Sequence, residues 1–148
     1  MSKFTKMISL LSALVLLVGL VPTLAAAAVT EETATVSSVV YNYSNTGFQF
    51  QVLPADSLPY DGGWQMIHAF AEGGLYTADG TLLTTNNVVK KLTASLYYIS
   101  LSERGHSAAD GEMFYLEGVI QSGDLRVVFE RTYFQYNSDT NSWSIVSP

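Results

Sequence analysis

Apolar and polar residues alternate with a period of two through most of the chain beyond residue 34, the pattern of strands that turn one face to a core and the other to water. The clearest case runs from Glu112 to Tyr136. A two-residue turn at Ser122-Gly123 would set Ile120 beside Leu125 and Leu116 beside Phe129, collecting Phe114, Leu116, Ile120, Leu125, Val127 and Phe129 on one face. The other face would set Tyr115 against Glu130, Glu117 against Val128 and Val119 against Arg126, a mixed surface suited to solvent. Beyond Arg131 the apolar phase moves to Phe134 and Tyr136, which predicts a β-bulge or a twist that carries the strand between two packing environments.

The same period marks other strands. Thr35 to Tyr43 is rich in β-branched and aromatic residues; after a Ser44-Asn45 turn, Thr46, Phe48, Phe50 and Val52 alternate with polar residues, predicting a hairpin. Asp79-Gly80 suits a type I′ turn pairing Tyr76 with Leu83. Lys91 to Leu101 reads as one half-buried strand, with Leu92, Ala94, Leu96 and Tyr98 on one side and Lys91, Thr93, Ser95 and Tyr97 on the other. Trp64 to Glu72 fits a strand face of Trp64, Met66, His68 and Phe70, although a helix face through Trp64, Ile67, His68 and Ala71 also fits; strand is preferred. Asn137 to Ser142 predicts a last turn that sets Tyr136 opposite Trp143. Pro54, Pro59 and Gly62-Gly63 make Leu53 to Gly63 the longest irregular stretch.

No long amphipathic helix or internal repeat competes with these strands. The expectation is an all-β fold, a single antiparallel β-sandwich or small β-barrel of about eight strands over residues 35–148.

The first residues follow another pattern. Lys3 and Lys6 precede an apolar run from Met7 to Val21, and Ala25 to Ala28 supplies small residues for cleavage. Residues 1–28 therefore read as a helical signal peptide of bacterial type, cut between Ala28 and Val29, with residues 29–34 as a flexible lead. The apolar run is about 15 residues, short of a membrane-spanning helix, and Gly19 and Pro22 break it. The expected location is secreted or extracellular, the periplasm and cell surface included, with no stable membrane anchor after cleavage.

Charge narrows the partners. Removing Lys3 and Lys6 leaves five basic residues against thirteen acidic ones, hence a mature charge of −8. Nucleic acid, which needs concentrated positive charge, is not an expected partner. The absence of cysteine removes disulfides, thiolate metal sites, cysteine nucleophiles and lipid attachment through cysteine, so burial must hold the fold.

Candidate chemistry is sparse. The two histidines, His68 and His106, lack an HExxH arrangement or a close third ligand, and neither a metal nor a cofactor is expected. His106 lies between Ser102, Ser107 and Asp110, but without a GxSxG elbow these residues are ordinary loop composition. Asp56, Asp61, Glu112, Glu117 and Glu130 could supply a glycosidase pair, yet thirteen acids generate such pairs freely. Asn137, Asp139 and Asn141 have a calcium-loop spacing without the required Gly or final Glu, and read as a turn. Asn42-Tyr43-Ser44 matches a glycosylation sequon that carries little weight alone.

Tyr60, Trp64, Tyr76, Tyr97, Tyr115, Tyr133 and Trp143 could stack on sugars, peptides or small ligands if several shared an exposed face, and core packing is their ordinary use. Because loops on rigid β scaffolds carry function, the Pro54–Trp64 and Glu103–Gly111 loops are the places for a site, with Tyr60, Trp64 and His106 as ligand-binding candidates and no catalytic residue assigned. The expected role is an extracellular binding or structural module for a glycan, peptide or cell-surface component. Two alternatives stand beside it: a small secreted hydrolase using carboxylates and a histidine, and an outer-membrane β-barrel, since alternation alone does not separate a core face from a lipid face.

Overall fold

The computed structural model describes residues 28–148, so the expected signal peptide lies, apart from Ala28, outside the described residues. Nine strands follow in chain order: β1 (Thr30–Asn42), β2 (Gly47–Leu53), β3 (Met66–Ala69), β4 (Glu72–Thr77), β5 (Val88–Lys91), β6 (Leu96–Ser100), β7 (Met113–Ser122), β8 (Leu125–Asn137) and β9 (Ser142–Val146). Two single 3-10 turns, Ser44–Thr46 and Ser102–Arg104, are the only helical elements among the described residues. The fold is all-β.

The strands form one curled mixed sheet, a half-barrel, in the order β3-β5-β6-β2-β1-β8-β7-β4, with β9 added to β8. The nine strands among the described residues are close to the expected number of about eight, but the sheet is not purely antiparallel: β1 runs parallel to β8, from Thr30↔Leu125 to Ala34↔Phe129. Residues 30–34, expected as a lead, are thus the first part of a strand. Their polar run is held by partners across the sheet rather than by its own hydrophobicity: Arg126 Nε is 3.3 Å from Glu31 Oε2, and the Thr30 amide donates to the Asp124 carbonyl at 2.8 Å.

Long strands make the curl. β1 pairs with β8 through its first residues and with β2 through its last, while β8 pairs with β1 first and with β9 from Tyr133 onward. Register shifts at Val36/Ser38 and Val39/Tyr41 bend β1, and a further one lies between Leu116 and Gly118 on β7, where Glu130 and Arg131 of β8 face Glu117 alone. That is the bulge predicted from the phase shift, and it lets Phe129 and Phe134 both point inward although five positions apart.

Inside the curl, aromatic rings from opposite walls meet. Phe48 lies 4.5 Å from Phe134 and 4.8 Å from Trp143 between ring centroids, and Phe50 stacks on Tyr97 at 5.7 Å. Each such buried ring contributes roughly 2–3 kcal/mol by leaving water, enough to hold a cysteine-free domain together when some twenty apolar side chains do the same.

The hairpin between β7 and β8 turns at Gly123-Asp124, one residue later than expected, so Ile120 faces Val127 and Gly118 faces Phe129. Moving a partner by two positions preserves side-chain parity, and of the expected apolar face Phe114, Leu116, Ile120, Val127 and Phe129 are buried while Leu125 is half-buried at its end. The β8–β9 hairpin has the expected register, Tyr136↔Trp143. A turn forms here, but not the expected type I′ at Asp79-Gly80: Gly80 alone has a positive φ, 90°, its amide donates to the Thr77 carbonyl at 3.0 Å, and the return strand is reduced to one bridge, Tyr76↔Leu82 rather than Leu83. Lys91 to Leu101 is not one strand: Leu92–Ser95 is a turn between β5 and β6, and the inward set is Val89, Lys91, Tyr97 and Ile99. Leu92, Leu96 and Tyr98, the apolar side by composition, are left half-exposed.

Candidate functional site

Cross-strand pairing places one outward row over five strands: Tyr41 on β1 faces Gln49 on β2, Gln49 faces Tyr98 on β6, Tyr98 faces Lys90 on β5, and Lys90 faces Ile67 on β3. The neighbouring row, Val39, Phe50, Tyr97 and Lys91, points into the core. This alternation leaves Tyr41, Tyr43 and Ile67 exposed on one surface. Tyr43 is 4.9 Å from Tyr41 and 4.9 Å from Tyr98, with tilted and edge-on rings.

The loop between β2 and β3 forms a wall over this floor. Together they enclose a groove of about 500 Å³ lined by Tyr43, Gln49, Leu92 and Tyr98 from the sheet side and Gly63, Trp64 and Gln65 from the loop. Its size is that of an ordinary small-ligand pocket. Trp64 is 89% exposed, the most open large apolar side chain among the described residues. An indole this exposed contributes little to the burial that holds the fold.

Buried polar groups fix the loop. Ser57 and Leu58 are buried under it, and the Lys91 ammonium, only 1% exposed as a residue, donates to the Leu58 carbonyl and to Ala55 O at 3.4 Å. Lys91 Nζ also lies 5.2 Å from the Tyr97 ring, a cation–π contact. Burial lowers the Lys91 pKa, against the Asp56 and Glu32 charges that raise it, and burial pushes the Tyr97 hydroxyl up to about 12. On β3, His68 Nε2 is 3.0 Å from Pro59 O. Tyr60 Oη lies 2.8 Å from Leu92 O and 2.7 Å from Gly63 O, tying the loop to the β5–β6 turn beside Trp64.

Of the three residues expected to bind, Tyr60 and Trp64 therefore come together at the groove, Trp64 as lining and Tyr60 as its brace. His106 does not join them. It faces a separate cleft of about 710 Å³ with Thr77, Asp79, Glu112 and Met113, where its Nε2 is 3.1 Å from Glu112 Oε1 and its ring meets Phe114 edge-on at 5.4 Å. Among the described residues, no group of three acids or histidines is arranged to hold a metal ion. Asn137 Oδ1 is taken by the Asp139 and Thr140 amides and Asn141 Oδ1 by Tyr136 and Ser44, so the calcium-like spacing serves the turn.

Tyr43, Gln49 and Tyr98 were not singled out by the sequence. The available signal was the apolar side of Leu92, Leu96 and Tyr98, which strand parity assigns to one face; only the burial of Lys91 and Tyr97 reveals that this face is the outer one. Of the other aromatics, Tyr76, Tyr115 and Tyr133 form a second row on β4, β7 and β8, at 4.7 and 5.3 Å spacing, with the Arg131 guanidinium 4.5 Å above Tyr115 and paired to Glu117. Tyr97 and Trp143 are core residues.

No protein-family model matches the chain, and no curated protein or solved structure is significantly similar to it.

Proposed function

We propose that this protein is an exported binding module whose ligand lies in the groove between Trp64 and the Tyr43–Tyr98 floor. The observation that carries the reading is the fully open Trp64 indole facing that floor across a cavity of about 500 Å³. Export rests on the basic, apolar and small-residue pattern of residues 1–28. Cleavage after Ala28 would leave all of β1 intact, because pairing begins at Thr30.

The sheet is read as a partly open barrel rather than a two-layer sandwich, since Phe70 and Ala71 alone separate β3 and β4, the two ends of the strand order. A water-facing location fits the strand lengths. Five strands have six residues or fewer, against the roughly 9–11 needed to cross a bilayer.

A second reading, a small hydrolase, draws on His106 and Glu112 beside Asp79 in the other cleft. A histidine oriented by a carboxylate is half of a general-base arrangement; a nucleophile aligned on it is the missing half.

An array carrying glycans and peptides, probed with the wild-type mature protein and with Trp64→Ala, tests the first reading. A bound class that disappears with the indole is the expected outcome. Binding indifferent to Trp64, or hydrolysis abolished by His106→Ala, would move the function to another surface.

A further inference from the structure

The groove's lining also specifies the chemistry of its ligand, an inference that rests on reading it as the binding site. Every side chain that lines it is uncharged, in a chain of net charge −6. Lys90, next to Tyr98 in the outward row, is committed to Glu103 at 2.6 Å. A carboxylate or phosphate leaving water here would meet no opposite charge, which is costly.

Hydrogen bonding separates the neutral ligands. Gln49 Nε2 donates to Tyr43 Oη at 2.5 Å, which orients the amide and leaves its oxygen as a free acceptor. Among the described residues nothing donates to Gln49 Oε1, and the Gln65 amide and Trp64 Nε1 make no hydrogen bond either. The site therefore presents two amide acceptors, Gln49 Oε1 and Gln65 Oε1, and donors from Gln65 Nε2 and Trp64 Nε1 around aromatic faces. A proline-rich strand offers ring faces and carbonyl acceptors but no N–H at proline to satisfy Gln49 Oε1. A pyranose offers apolar C–H faces for an aromatic ring and hydroxyls that both donate and accept.

We infer that the ligand is a neutral glycan, with one sugar ring laid against Trp64 and its hydroxyls shared between the Gln49 and Gln65 amides. The groove volume of about 500 Å³ suits one or two rings rather than a long chain enclosed along its length.

Calorimetric titration of the mature protein with uncharged hexaoses (cello-, xylo-, malto- and manno-) tests this, alongside oligogalacturonate and a proline decapeptide as charged and peptide probes. The expected result is binding of at least one neutral hexaose, weakened roughly tenfold or more by Trp64→Ala and by Gln49→Leu, each checked for an unchanged melting temperature. Oligogalacturonate or the decapeptide binding in a Trp64-dependent way, with the hexaoses silent, would overturn the sugar while keeping the groove. A hexaose bound equally well by Trp64→Ala would overturn the groove itself, and silence from every probe would overturn both.

Discussion

His68 Nε2 lies 3.0 Å from the carbonyl oxygen of Pro59, so a buried imidazole on β3 fastens the loop whose far end carries Trp64. A carbonyl only accepts, so the neutral ring must carry its proton on Nε2. A second proton would create a cation in a buried site beside the Lys91 ammonium. Burial lowers the His68 pKa below 6.5; the Lys91 charge lowers it further, and the Pro59 bond opposes both.

The sign follows from linkage. Below 6.5 the unfolded chain takes up a proton that the folded chain resists, so stability that is complete above 6.5 is lost as pH falls from there through the lowered folded value. His68→Gln keeps a donor for Pro59 and removes the titration. Urea midpoints measured from about pH 7 to about pH 5 should fall more for the wild type than for this variant; parallel curves would exclude His68 as the source.

Lys91→Met keeps the buried stem and leaves the Leu58 carbonyl without its donor. An unsatisfied buried carbonyl costs about 1–3 kcal/mol, and relief of the buried ammonium offsets part of that. Lower stability in urea is expected, together with faster proteolysis between Pro54 and Gly63. Unchanged stability and proteolysis would mean that the loop is held without Lys91.

Among the described glycines, Gly73 is where an added Cβ would come nearest to neighbouring backbone. Its φ is +65°, and a Cβ there would fall 2.2 Å from Glu117 O and 2.9 Å from Gly118 Cα, both backbone atoms of the neighbouring strand. Gly73→Ala adds left-handed strain of about 1 kcal/mol to a clash that only separation of β4 from β7 relieves. A drop of roughly 2 kcal/mol or more in unfolding free energy is expected, against about 1 kcal/mol, the left-handed strain alone, for Gly111→Ala, which has a positive φ of 74° but open space around it.

These sites show which parts of the structure were legible in the sequence. Turn chemistry with alternation located the hairpins, and the β8–β9 register, Tyr136↔Trp143, followed from a four-residue loop between Asn137 and Ser142. At Ser122-Gly123-Asp124 two adjacent turns were open to the chain, and the choice moved pairing without changing faces. The β1–β8 pairing was not legible, because no turn joins strands about ninety residues apart and the side chains that meet across it, such as Thr35 Oγ1 and Glu130 Oε2 at 2.8 Å, are equally distant in the sequence.

The site was half legible for a related reason. Trp64 and Tyr60 stand out in a proline- and glycine-rich loop. The floor did not, since it depends on which face of β5 and β6 is inward, and the decisive inward residue is a lysine. A buried lysine that caps loop carbonyls reverses the reading that composition favours.

The groove is tested most directly by the indole N–H resonances of the two tryptophans during titration with the neutral hexaose mixture. Trp143 Nε1 donates to Ser44 O at 2.7 Å in the core, whereas Trp64 stands in solvent, so the two signals separate. A selective, saturable shift of the Trp64 resonance, absent in Trp64→Ala, is the predicted result. Shifts confined to His106 and its neighbours, with both indoles unmoved, would contradict it.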